Sequence, residues 1–179
     1  VLVPRPETET LVDAILKENL QGKTLLELGT GSGAISISIA QENKDCFIFA
    51  TDISIKSILV AKQNAAKFYC ENIIFLNHDW NNEWLFPQVD YLISNPPYVD
   101  KEATTGKEEG IWHEPEKALF SKDKGLSDLK LILSKGKNFL NENGKVYLEH
   151  APDQFEELNK FAIENGYLLS LIHISRAHE

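Results

Sequence analysis

The chain has 179 residues, 42% of them hydrophobic, which is enough for one well-filled core and too little for two ordinary domains. A net charge of -9 disfavours direct nucleic-acid binding, because phosphate neutralisation needs clustered Lys and Arg, and favours a protein or small molecule as partner. The longest apolar runs, such as Phe47 to Ala50 and Ile73 to Leu76, are strand-length and far short of the roughly 20 residues that span a bilayer. No basic, apolar, small-residue signal opens the chain, although it begins at Val1 and not at a methionine. Cys46 and Cys70 lack CxxC spacing, which makes a reducing cytoplasm the simplest compartment.

The first expected element is a helix after Pro6. Proline suits the first turn, Glu7 and Glu9 lie near its positive end, Leu11, Val12, Ile15 and Leu16 recur at helical spacing, and Gln21-Gly22 ends it. Strand, glycine loop and helix follow over Thr24 to Leu28, Gly29 to Gly33 and Ala34 to Ala40. A second strand (Phe47 to Thr51) and helix (Ile55 to Phe68) come next, then strands at Ile73 to Leu76 and Val89 to Ser94. Asp100 to Glu116 has no clean period and reads as a long surface loop. Beyond it the pattern predicts a helix over Leu126 to Leu140, a strand over Lys145 to Glu149, a helix over Gln154 to Asn165 and a sixth strand over Tyr167 to Ile174. Such alternation specifies an α/β fold with a mostly parallel sheet and helices on both faces.

Glu27-Leu28-Gly29-Thr30-Gly31-Ser32-Gly33 stands where the first strand turns into a helix. In open parallel sheets ligands bind at the carboxyl ends of strands, and glycines there let the backbone approach the ligand. The alternative is a tight turn with close packing. The spacing is GxGxG, not the GxGxxG of dinucleotide binders, and no Lys-Ser or Lys-Thr pair marks a P-loop. Asp52, 19 positions after Gly33, ends the second strand, where an acidic side chain meets ribose hydroxyls; as an alternative it caps the next helix. Together they suit an adenosine ligand with an amino acid end. Trp80, in Asp79-Trp80 after the third strand, is placed to pack on the purine or to serve as a structural tryptophan.

Asn95-Pro96-Pro97-Tyr98 directly follows Tyr91-Leu92-Ile93-Ser94. Two prolines fix the backbone past a strand and remove two N–H donors, leaving carbonyl groups free to accept. The Asn95 side-chain oxygen and the Pro96 carbonyl can then hold both hydrogens of a planar NH2 group, with Tyr98 stacked on the substrate plane. An amide nitrogen is a poor nucleophile, so orientation and preorganised dipoles would supply most of the acceleration. The five histidines are scattered without metal-ligand spacing, no GxSxG elbow is present, and no metal is expected.

These motifs resemble the HemK/PrmC-type protein-(glutamine-N5) methyltransferases, which modify the glutamine in the Gly-Gly-Gln loop of peptide chain release factors. The resemblance runs from Val1 to about Leu158. It is carried by Val3-Pro4-Arg5-Pro6-Glu7-Thr8-Glu9, the glycine loop, Asp52-Ile53-Ser54 with Ala61 and Asn64, Asp79-Trp80, Asn95 to Tyr98, and Glu114-Pro115 with Ala118-Leu119 and Gly125-Leu126. It implies a Rossmann-like class I S-adenosylmethionine-dependent methyltransferase. Gly29, Thr30, Gly31, Ser32, Gly33, Asp52, Trp80 and Asn95 would bind the cofactor. Asn95, Pro96, Pro97 and Tyr98 would hold the glutamine amide, with Asn95, Pro96 and Tyr98 the catalytic set, and Arg5 and Glu7 would shape the rim beside Glu9. A release factor is the implied partner, and a monomer is expected.

Two departures are visible. Ala151 stands where the family has glycine, and the family's N-terminal helical domain precedes the point where this chain begins. Residues 1–170 are therefore expected to form the catalytic domain, and 171–179 to be a truncated or foreign tail that leaves the sheet without its last strand and with an uncovered edge. The other readings are an N-methyltransferase acting on adenine or guanine amino groups, which share an Asn-Pro-Pro-aromatic motif, and an inactive binding module.

Overall fold

A computed structural model describes residues 6–97, 99–100, 120–121 and 125–168. Arg5, Tyr98, nearly all of the loop from Asp100 to Glu116, Glu114-Pro115 and the 171–179 tail lie outside the described residues, as does the Glu7 side chain. The predicted sixth strand also falls outside them, except for Tyr167 and Leu168, which are not in strand.

The elements are α1 (Pro6–Leu16), β1 (Thr24–Leu28), α2 (Ala34–Glu42), β2 (Phe47–Asp52), α3 (Ile55–Lys67), β3 (Ile73–Asn77), β4 (Val89–Ser94), β5 (Val99–Asp100), β6 (Phe120–Ser121), α4 (Ser127–Gly136), β7 (Leu140–Leu148) and α5 (Phe155–Glu164). Five strands form one sheet in the order β3-β2-β1-β4-β7, and every pairing in it is parallel. The short β5 and β6 pair separately, also in parallel.

Near-continuous apolar runs such as Leu25-Leu26 and Leu92-Ile93 become strands covered on both faces because alternate residues point to opposite sides. Leu25, Ile48, Ala50, Phe75, Tyr91 and Ile93 share a cluster with residues of α1, α2 and α3. Leu26, Leu28, Val89 and Leu92 face the other way, onto Ile132 of α4 and Trp84 of the β3–β4 connection. A third cluster seats α5 on α4 through Leu129, Leu133, Leu158 and Ala162. Among the described residues, no helix is long and apolar enough to cross a membrane.

Two sequence-based boundaries shift. Helix α1 stops at Leu16, before Gln21-Gly22, because the next turns do other work. Leu20 is 1% exposed and plugs the core. Glu18 accepts hydrogen bonds from Lys145 Nζ (2.7 Å) and the Tyr147 hydroxyl (2.7 Å), tying this turn to β7. The helix expected to run to Leu140 ends at Gly136. A 3-10 turn over Lys137–Phe139 follows, and β7 begins at Leu140. Leu140 pairs with Val89, the ladder then breaks, and it resumes at Lys145 opposite Tyr91, where the apolar alternation becomes visible in sequence. Asn143, at φ 64, turns the chain within that break.

Chain order and spatial order part company once. The chain builds β1, β2 and β3 outward, then returns to place β4 on the other side of β1, so the crevice past β1 and β4 is the topological switch point. Ile93, fully buried on the central β4, and Ile163, 58% exposed on α5, allow a test of where stability resides. Ile93→Ala is expected to cost about 2–5 kcal/mol and Ile163→Ala about 0.5 kcal/mol or less, read from urea midpoints at unchanged m.

Candidate active site

Pairing sets five strand ends side by side. Leu28 lies opposite both Thr51 and Ser94, Asp52 lies opposite Asn77, and Ser94 lies opposite Leu148. The residues that end or follow the strands therefore form one row at the carboxyl edge: His78, Asp52, Gly29, Asn95, Glu149. Ser94 Oγ donates to the Leu28 carbonyl (2.8 Å), and the Glu149 N–H donates to the Ser94 carbonyl (3.1 Å). The His78 N–H donates to the Asp52 carbonyl (3.0 Å).

The glycine loop is held from three sides. The Thr30 N–H donates to the Thr51 carbonyl (2.8 Å), the Gly31 N–H to Asp52 Oδ2 (2.9 Å) and Asn64 Nδ2 to the Ser32 carbonyl (2.9 Å). Gly29, Gly31 and Gly33 all have positive φ, at 76, 57 and 84°, a region costly to residues with a Cβ. A Cβ on Gly33 would also stand 2.9 Å from Ile37 Cδ1 and 3.1 Å from Ala61 Cβ, so this glycine lets the loop close onto α2 and α3. The loop opens the α2 N-terminus, whose cap, Gly33, has no side-chain hydrogen bond.

Asp52 does not cap α3. That role falls to Ser54, whose Oγ accepts from the Ser57 N–H (3.3 Å). Asp52 instead spends one lone pair of each oxygen on backbone, Oδ2 on Gly31 and Oδ1 on the Ser54 N–H (2.8 Å). The carboxylate is thus fixed in orientation with acceptor capacity to spare. Trp80 lies against the loop: a Cβ on Gly29 would meet its Cζ3 at 3.1 Å. Its Nε1 donates to Asp128 Oδ1 (3.2 Å), and its carbonyl accepts from Trp84 Nε1 (2.9 Å) and Lys135 Nζ (2.8 Å). The ring is half-buried and tied to α4, which gives it a structural role in packing the loop.

Pro96 and Pro97 are buried and Asn95 is half-buried, directly past β4. Asn95 Nδ2 donates to Thr8 Oγ1 of α1 (3.2 Å), and Thr8 Oγ1 donates to Glu149 Oε2 (3.3 Å). Helix α1 thereby reaches the row from above the β4–β7 side. Among the described residues, no three His, Cys, Asp or Glu side chains are grouped to hold a metal ion. A surface hollow lined by Lys62, Ala65, Cys70, Ile73 and Phe75 lies toward the end of α3 and the start of β3, and shares no residue with this row.

Three participants carried no role in the sequence reading. Glu27 faces the α1–α3 side at 1% exposure, and its Oε2 accepts from Thr30 Oγ1 (2.7 Å) and from Ser36 Oγ. The Ser36 N–H adds to this, so Glu27 satisfies part of the open α2 N-terminus from below, while Oε1 is buried without a partner. Burial, only partly offset by these donors, raises its pKa to about 6. A charged residue inside an apolar strand run was the signal for Glu27. Thr8 and Glu149 had no local signal, since their partners lie far away in the chain.

The model of the methyltransferase small domain matches residues 6–122. The chain belongs to the methyltransferase small domain family. It is 35% identical to the release factor glutamine methyltransferase of Escherichia coli (strain K12) over 93% of this chain and 60% of that protein. It is 40% identical to the protein of that name from Lactococcus lactis, over 83% and 55%. The chain thus spans little more than half the length of these relatives. The ribosomal protein L11 methylase of Lactobacillus delbrueckii superposes with a TM-score of 0.72 at 20% identity, covering 97% of this chain and 76% of that one. That likeness establishes the Rossmann-like class I methyltransferase fold.

In this small methyltransferase domain the buried Glu27 ties stability to pH. Its folded pKa of about 6 exceeds the ordinary 4.5, so its stabilising share is complete below about 4.5 and is lost as pH rises through about 6. Wild type should therefore weaken relative to Glu27→Gln across that window, by on the order of 2 kcal/mol. Thermal unfolding of both proteins at several pH values between 4 and 7 measures this; a gap independent of pH contradicts the assignment.

Proposed function

We propose that residues 1–170 form the catalytic domain of an S-adenosylmethionine-dependent methyltransferase whose substrate is the side-chain amide nitrogen of the glutamine in the Gly-Gly-Gln loop of a peptide chain release factor. The observation that carries this reading is the juxtaposition, through the Leu28–Ser94 pairing, of the glycine loop with Asn95-Pro96-Pro97. It puts a cofactor-type loop and a clamp for a planar NH2 group next to each other at the switch point. The named relatives supply the substrate class, and the net charge of -9 favours a protein over nucleic acid.

The donor set fits the cofactor. Asp52, oriented by Gly31 and Ser54, has lone pairs for two ribose hydroxyls. The orphaned, buried Oε1 of Glu27, under the loop that Thr30 secures, suits an ammonium group, whose arrival would favour the ionised carboxylate. The α2 N-terminus suits a carboxylate. When bound, S-adenosylmethionine supplies an electrophilic methyl carbon.

The chain's own part is orientation. Asn95 Oδ1 and the Pro96 carbonyl accept the two amide hydrogens, fix the plane of the group and hold its nitrogen toward the methyl-bearing side. Formation of the N–C bond would be matched by loss of the methyl carbon's bond to sulfur, whose electron pair stays on sulfur; the nitrogen would lose conjugation, become positive and release one proton to water, and two fixed acceptors stabilise that change more than they stabilise the planar amide. Tyr98 would stack on the substrate plane, and Arg5 and Glu7 would line the rim.

The full-length protein should transfer labelled methyl to a release factor and not to DNA or RNA; label found only in nucleic acid would sink the glutamine assignment. Asn95→Ala should lower kcat by about 100-fold or more while the melting temperature stays within a few degrees. Full activity in that variant rules out the clamp.

A further inference from the structure

Thr8 sits in the first turns of a helix, where an exposed polar residue would be ordinary, yet it is 8% exposed and its hydroxyl lies between two side chains brought from distant strands. Asn95 Nδ2 approaches it at 3.2 Å from the end of β4, and Glu149 Oε2 at 3.3 Å from the end of β7. A hydroxyl has one hydrogen to give and lone pairs to receive. A carboxylate can only accept, so the hydrogen goes to Glu149. With that hydrogen committed, Thr8 can only accept from Asn95.

This order of donors has a consequence for Asn95. The two ends of an asparagine amide have nearly the same shape and opposite hydrogen-bonding character. A partner that can only accept selects the NH2 end and turns Oδ1 away from it.

We propose that Thr8 and Glu149 are positioning residues that fix the polarity of the Asn95 amide, so that its oxygen and not its NH2 group faces the substrate nitrogen. This rests on the function proposed above and extends it to two residues that act through Asn95. A substrate amide presents hydrogens to the site. A flipped Asn95 would set NH2 against NH2, losing the acceptor and leaving two donors unpaired. Rotation of the amide is cheap in sterics, and a hydrogen-bond partner that can only accept opposes it. Thr8, held on α1, also makes α1 part of the clamp, and so gives a helix outside the strand–loop–helix core a chemical reason to pack where it does.

The test uses the full-length protein with Thr8→Val, which keeps the shape and deletes the hydroxyl, Thr8→Ser, which keeps the hydroxyl, and Glu149→Gln, which lets the amide offer either end. The expected result is a kcat lowered about 10- to 100-fold in Thr8→Val, restored for the most part in Thr8→Ser and lowered several-fold in Glu149→Gln, with the dissociation constant for S-adenosylmethionine unchanged in all three. Wild-type kcat in Thr8→Val, or in Glu149→Gln, overturns the proposal. So does an equal fall in Thr8→Val and Thr8→Ser, which would mean packing and not the hydroxyl matters. If wild type itself does not methylate a release factor, the functional reading fails and the polarity relay is judged separately, from the Asn95 side-chain NH2 signals in a 15N–1H spectrum. Dispersed, exchange-protected signals present in wild type and Thr8→Ser and lost in Thr8→Val support it, and identical signals in all three overturn it.

Discussion

Five strands that run the same way must all end on the same side of their sheet, and parallel register decides which residues meet there. Hydrogen bonds pair Leu28 with Thr51 on one side and with Ser94 on the other, so the glycine loop, Asp52 and Asn95 have no freedom to be anywhere but adjacent. Each of these three comes from a separate strand–loop unit. The crossovers through α2 and α3, seated on Leu25, Ile48, Ala50 and Ile93, hold those units in register. Core packing and site geometry are in this sense one constraint, because a slip of β1 against β4 by a single residue would turn Leu26 and Leu28 onto the α1–α3 face and Glu27 onto the α4 face, and would also part Gly29 from Asn95.

The loop illustrates how polar groups are used where apolar ones would be more stable. Glu27 stands in a strand whose neighbours are leucines, and its burial pushes its pKa up to about 6 despite donors from Thr30 and Ser36. A leucine there would remove the cost of desolvation. It would also leave Thr30 and the α2 N-terminus without their acceptor, and the loop without negative charge beneath it. Asp52 shows the cheaper version of the same device: a half-buried carboxylate at a strand end, bonded to Gly31 on one oxygen and Ser54 on the other, with further acceptor capacity still available.

Much of this was readable in the residue order. Thr24 to Leu28 and Val89 to Ser94 are apolar runs of strand length bounded by Gly29 and Asn95-Pro96, and they form strands with those bounds. The glycine spacing, Asp52 and Asn95 to Pro97 could be assigned to strand ends because turn-forming residues interrupt apolar periodicity there. What could not be read depends on tertiary contact. Helical spacing continues through Lys137 to Leu140, yet Leu140 pairs with Val89 and leaves the helix. Asp52 and Ser54 are both good caps, and only the packing of β2 against the loop decides that Asp52 serves Gly31. Thr8, Asn95 and Glu149 are 87 and 54 positions apart in the chain, and no periodicity links residues at such distances. Arg5 and Tyr98 fall outside the described residues, and their roles rest on the sequence alone.

The proposed function turns on whether the row at the carboxyl edge, anchored by Asp52 and the glycine loop, holds S-adenosylmethionine as proposed. Isothermal titration of the full-length protein with S-adenosylmethionine, comparing wild type with Asp52→Ala at pH 7, tests it most directly. The expected result is one site in wild type and affinity weakened by about 10- to 100-fold in the variant, since ribose acceptors and the Gly31 anchor are lost together. Equal affinity in the two proteins, or no binding by wild type, would contradict it.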